Sequence, residues 1–151
     1  MALQDVVTAA RALNCVGDDT WPFEAAALGN RLDDELGDPG VATEVCRALI
    51  SVAGERGCIL MVGASASGDR LAAVASALAA NGLRRATATQ VLDGTVLVVD
   101  GLLATGWQIR QAARRARDRG AGRVMAAVVI DASDVDLSDE VDDLIILANR
   151  L

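Results

Sequence analysis

Asp100 closes the apolar run VLVVD at residues 96–100, and the turn that follows carries Ala104, Thr105 and Gly106. A second small turn, Ala64, Ser65, Ala66, Ser67 and Gly68, follows the apolar run CILMVG at 58–63. A carboxylate in such a place accepts hydrogen bonds from hydroxyl groups or acts as a general base. A turn rich in Gly, Ser and Thr that opens a helix presents unpaired N–H groups and the positive end of the helix dipole to an anion. Glycine lets the backbone approach a phosphate closely. Plainer roles are open to the same residues. Asp100 can cap the loop or helix beyond its strand, Thr105 and Gly106 can form an N-cap and tight turn, and 64–68 can be a simple strand-to-helix connection.

The rest of the chemical menu is short. The 151 residues include no His and no Tyr, and all fourteen basic residues are Arg, so there is no Lys. A His-based triad, a His metal site, a Walker-type lysine and a Schiff-base lysine are excluded. Any general base is a carboxylate or a thiolate. No residue set has metal-ligand spacing. The formal net charge of −7 opposes nucleic acid as a partner. Cys15, Cys46 and Cys58 form no CxxC pair, and buried free thiols in a reducing cytoplasm are expected. The opening MALQDVVTAARAL is broken by Asp5 and Arg11 and is not expected to act as a secretory leader. No apolar run approaches the ~20 residues of a membrane span.

The elements that must position these turns follow from pattern. Residues 3–13, about 21–36 and 41–56 read as helices. Asp18, Asp19 and Thr20 before Trp21-Pro22 suit a helix start, and Asp38-Pro39-Gly40 reads as a turn. Residues 58–63, 95–100 and 123–131 are continuous apolar runs, as strands buried on both faces should be. Residues 86–92 alternate weakly as a strand, and 144–148 reads as the last one. Helices are expected over 70–81, closed by Gly82, and over 107–119, ending at Gly120. The order predicts a single α/β domain with a mostly parallel, five-stranded sheet between helical layers. Residues 1–37 would form a helical cap and 38–151 the α/β core. In such sheets ligands sit beyond the carboxyl ends of the strands, where both turns fall.

VLVVDGLLATG resembles the phosphoribosyl-pyrophosphate motif of type I phosphoribosyltransferases, such as the orotate and adenine enzymes. In that family two adjacent acids end an apolar strand, and a small loop and a helix follow. The stretch from Asp38 to Gly82 resembles the family's helix, strand, pyrophosphate loop and helix, and GRVMAAVVI resembles the strand after the motif helix. The resemblance covers roughly residues 38–148. It implies a phosphoribosyl pyrophosphate or nucleotide ligand, possible magnesium, and a homodimer or protein partner. It assigns Asp100 to a ribose hydroxyl as the catalytic acid. It assigns Ala104, Thr105, Gly106, Trp107 and Gln108 to the 5′-phosphate, and Ala64, Ser65, Ala66, Ser67 and Gly68 to the pyrophosphate.

The chain departs from that pattern in several places. Gly101 stands where the second acid belongs, Gln108 replaces a small hydroxyl residue, and Trp107 is bulky. Residues 82–95 leave no room for the long closing loop of active members, and Arg84 and Arg85 are the only cations nearby. Removing one preorganised electrostatic group typically costs about 100- to 1000-fold in rate. The expectation is a degenerate member, a binding, regulatory or partner subunit with little or no transferase activity. The alternatives are a working enzyme whose lid comes from a second subunit or the N-terminal helices, and a structural module with an empty pocket.

Other motifs carry less. GASASG is similar to a dinucleotide fingerprint, but Ser65 occupies the second glycine. Arg110, Arg114 and Arg117 share a helix face, expected to be solvated, with a docking surface for an acidic partner as the sharper reading. Asp131, Asp134, Asp136, Asp139, Glu140, Asp142 and Asp143 lack the spacing of a calcium loop and read as a solvated connection. Trp21 and Phe23 are expected to anchor the helical cap.

Overall fold

The structure is a computed structural model that describes residues 2–13, 21–87, 89–133 and 135–151. Cys15, the 18–20 helix start and Asp134 lie outside the described residues, as does the Trp21 side chain.

Helices α1 (Ala2–Leu13), α2 (Trp21–Leu36) and α3 (Pro39–Glu55) precede the first strand. The Asp38 carboxylate accepts hydrogen bonds from the Gly40 and Val41 amides at 2.8 and 3.1 Å. Asp38-Pro39-Gly40 is therefore the capped start of α3 rather than a free turn, because Pro suits the first helical position. Strands β1 (Leu60–Gly63), β2 (Arg84–Arg85), β3 (Thr95–Leu103), β4 (Arg123–Asp131) and β5 (Asp143–Ile146) form one sheet in the order β2-β1-β3-β4-β5. Every pairing is parallel. Helices α4 (Ala66–Leu78) and α5 (Trp107–Asp118) supply the crossovers after β1 and β3.

The three-layer arrangement follows from the two-residue period of the strands. Leu97 and Val99 of β3 face one way, with Met125 and Ala127 of β4, and pack with Leu3, Leu28, Leu32, Leu49 and Leu71. Those leucines come from α1, α2, α3 and α4, so the N-terminal helices share the core of that layer. Val96 and Val98 face the other way, with Ala126 and Val128, and meet Ile109, Ala112, Ala113 and Ala116 of α5.

Several boundaries differ from the pattern-based expectation. Helix α4 starts at Ala66, four residues earlier than expected, and ends at Leu78. None of the described residues of 86–92 is in a strand. In this segment Arg84 and Arg85 pair with β1, and the Ala86 amide donates to the Met61 carbonyl. Beyond them the chain is drawn to the end of α5 instead: the Arg119 guanidinium donates to the Thr87 and Gln90 carbonyls, and the Leu92 amide donates to the Arg119 carbonyl at 2.9 Å. The last strand ends at Ile146 and passes into a short 3-10 turn, Leu147–Arg150. Phe23 is 80% exposed and lies outside the core of the described residues.

The arginine face of α5 and the acidic stretch are each other's partners. Arg110 and Arg114 approach Glu140 at 3.4 and 3.9 Å, and Arg117 reaches Asp142 at 3.5 Å. Arg110 and Arg117 also donate to the Asp136 and Glu140 carbonyls. Asp142 in turn accepts from the Val124 amide at 2.8 Å, tying the connection to β4. The acidic partner for these three arginines thus lies within the chain.

Candidate functional site: a cleft where two strand-to-helix turns meet

The chain leaves β1 toward β2 on one side and returns to β3 on the other, so the winding reverses between β1 and β3. Ligand crevices form at such switch points. Gly63 at the end of β1 is paired with Val99 of β3, and the Ala64 amide donates to the Val99 carbonyl at 2.8 Å. The two turns therefore lie side by side at one rim.

In the first turn, Ser65 is the N-cap of α4. Its hydroxyl accepts from the Gly68 amide at 3.2 Å and donates to Asp100 Oδ1 at 2.5 Å. Ala66, Ser67 and Gly68, expected in a loop, form the first helical turn. Their glycine has a packing reason. A methyl on Gly68 would land on the Val99 carbonyl oxygen, and one on Gly63 would strike the Asp69 backbone. The start of α4 thus sits directly on β1 and β3.

The second turn is built differently. Strand β3 does not end at Asp100 but runs on to Leu103. Its facing slips in phase there: Leu102 packs with the cluster that holds Val99, and Leu103 packs against the other. Ala104, Thr105 and Gly106 then lead into α5. Gly106 has φ of +79°, a left-handed conformation that favours glycine, and as the N-cap residue it makes no side-chain cap of its own. Thr105 Oγ1 accepts from the Trp107 amide at 3.3 Å. Trp107 is 63% exposed, and Gln108 is exposed beside it.

Asp100 joins the two turns. It is only 4% exposed. Its Oδ1 accepts from Ser65 and, at 2.8 Å, from the Gly101 amide. Oδ2 accepts no hydrogen bond from the described residues, and Asp100 lines the cleft. Burial pushes the carboxyl above the ordinary aspartate range, with a smaller push from Asp33, while Ser65 and Gly101 pull it back.

The cleft has two parts. The larger, about 490 Å³, lies over Asp100, Ser65, Ser67 and Thr105 and is walled by α2. The smaller, about 230 Å³, lies within the second turn between Asp100 and Trp107. The wall on α2 was not foreseen. Ala25, Ala26, Gly29, Leu32 and Asp33 line it, and their spacing of three and four along a helix of small residues was the available signal. No arginine lines either part. Arg70 is paired with Asp33 at 3.7 Å and Arg85 with Asp69 at 3.0 Å.

Gly101 is turned toward α4 and α2. A Cβ there would stand 2.7 Å from Ser67 Oγ and 3.5 Å from Leu32 Cδ2. The place expected for a second acid is thus covered by α4 and α2, and an aspartate at 101 requires Ser67 to rotate away.

Among the described residues no three His, Cys, Asp or Glu side chains gather where a metal ion could sit. A magnesium ion here would be carried largely by ligand oxygens, as magnesium in phosphate sites commonly is. No described helix is long and apolar enough to cross a membrane. The chain matches no protein-family model, and no curated protein is similar enough to count as a relative.

Proposed function

We propose that the chain is a degenerate phosphoribosyltransferase-like domain. It binds a phosphoribosyl or nucleotide-type anion and serves as a regulatory or partner subunit with little or no transferase activity. One observation carries this reading: buried Asp100 and the start of α5, with the Thr105 hydroxyl, border the same cleft. A sugar hydroxyl would donate to Asp100 Oδ2. A phosphate at the smaller recess would accept from the backbone amides that open α5 and from the Thr105 hydroxyl.

Weak catalysis follows from what surrounds that cleft. Pyrophosphate departure leaves positive charge on the sugar, which needs a closed site with preorganised charge. The segment between β2 and β3 is short, and Arg119 fastens it to α5. It is poorly placed to close over the cleft. Free, buried Cys46 and Cys58 suit a reducing cytoplasm, with burial pushing the Cys46 thiol up to about 11.

The test pairs calorimetry with a turnover assay. A nucleoside monophosphate is expected to bind at least about tenfold more tightly than its nucleoside, the worth of one charge-assisted hydrogen bond or more. Pyrophosphate release from phosphoribosyl pyrophosphate with any purine or pyrimidine base should stay at background. Turnover would establish a working enzyme, and the absence of any binding would leave a scaffold with an empty cleft.

A further inference from the structure

We infer that the cleft receives a sugar bearing one phosphate, without a diphosphate and without a metal ion, an inference that rests on the phosphoribosyl reading above. A diphosphorylated sugar needs two anion seats, one at each turn. Three donors of the first turn are already spent. The Ala64 amide is held by the Val99 carbonyl, the Gly68 amide by Ser65, and the Ser65 hydroxyl by Asp100. What remains is the pair of amides at Ala66 and Ser67 with the Ser67 hydroxyl, which faces Gly101.

Charge works in the same direction. Asp33 lines the cleft beside Ser67, and Asp69 lies in the first turn of α4. Arg70 and Arg85 are paired with these same acids. A diphosphate brought to this turn would meet two carboxylates, and no arginine lines the cleft. The second turn has the opposite balance. Thr105 takes the Trp107 amide but keeps its own hydroxyl proton for a ligand, and the recess of about 230 Å³ is lined by no acid except Asp100. Asp100 is spaced from a phosphate by the sugar whose hydroxyl it accepts. Without a diphosphate nothing in the ligand chelates magnesium, so the ion adds nothing to affinity.

Calorimetry with ribose 5-phosphate and with phosphoribosyl pyrophosphate, each in magnesium and in a chelator, tests this. Ribose 5-phosphate should bind equally within about twofold in both buffers, and the diphosphorylated sugar should bind no more tightly, with or without magnesium. Tenfold tighter, magnesium-dependent binding of phosphoribosyl pyrophosphate overturns the inference while leaving the phosphoribosyl reading intact. If neither sugar phosphate binds, both fall. Asp100→Asn keeps the shape and the Ser65 contact. It should weaken ribose 5-phosphate about tenfold or more and leave inorganic phosphate at least as well bound as in the wild type. Equal loss of both ligands, or of neither, counts against the placement of sugar and phosphate.

Discussion

At the turn after β1, Ser65 closes the first turn of α4 and holds Asp100, and a glycine lets the helix rest on a strand carbonyl. At the turn after β3, Gly106 bends the chain at positive φ, and Thr105 accepts from the first amide of α5. Both turns are small, rich in glycine and hydroxyls, and sit at the same rim. They differ in whether the hydroxyl that takes a helix amide has already given its own proton: Ser65 has, to Asp100, and Thr105 has not among the described residues. A donor satisfied inside the protein adds little to ligand binding, because the exchange gains no net bond. Composition alone ranks the two turns equally, whereas donor occupancy separates a packing joint from a binding site.

The largest expected effect comes from adding a methyl to each turn. At Gly68 the new atom would meet the Val99 carbonyl oxygen, which belongs to the central strand and cannot move aside. Gly68→Ala is expected to cost at least about 3 kcal/mol, read as a lower denaturation midpoint in urea. At Gly106 the methyl would lie 3.0 and 3.1 Å from the side chains of Leu137 and Val135, which can shift, and the remaining cost is backbone strain. Gly106→Ala is expected to cost about 1–2 kcal/mol. Equal costs would erase the distinction between the turns.

A smaller effect separates stability from affinity. Ser65→Ala removes an N-cap and the only side-chain donor to Asp100 among the described residues. It should cost about 1–2 kcal/mol in stability and leave inorganic phosphate binding unchanged. Thr105→Val should do the reverse. Stability should stay within about 0.5 kcal/mol, because Trp107 is exposed and its amide can turn to water. Affinity for a sugar phosphate should fall about tenfold in calorimetry. If Ser65→Ala weakens phosphate binding as much as Thr105→Val does, the first turn is a second anion seat after all.

The sequence made the sheet legible because continuous apolar runs such as 58–63, 95–100 and 123–131 have few other uses in a chain this size. It placed both turns at the carboxyl rim for the same reason. What stayed hidden depended on approach distances. Gly68 reads equally well as a phosphate loop and as a contact point, and only the Val99 carbonyl beneath it decides. Phe23 looked like an anchor by residue type, yet its side chain lies in solvent. The weak alternation at 86–92 lost to Arg119, a side chain about thirty residues away that binds the carbonyls a strand would have used. The part played by Asp33 required knowing which face of α2 turns to the sheet.

The last and smallest effect is a pH dependence that reads the joint between the turns. Burial raises the Asp100 carboxyl above its ordinary range. The folded chain therefore holds that proton more firmly than the unfolded chain does. The resulting contribution is fully present below the ordinary aspartate value and is lost as pH rises through the raised folded value. Glu55, lowered by its hydrogen bond to Arg150, and Asp136, lowered by Ser138, change stability in the opposite sense as pH falls. Both contributions cancel when wild type is compared with Asp100→Asn, which cannot titrate at this position. The stability of wild type relative to the variant should therefore decline as pH climbs through the window just above the ordinary aspartate range, measured by urea denaturation at each pH. A sugar hydroxyl that donates to Asp100 favours the ionised form, so saturating ribose 5-phosphate should reduce that decline. A flat difference would mean that Asp100 is as well solvated folded as unfolded. The contrast between the turns would then rest on Ser65 and Gly68 alone.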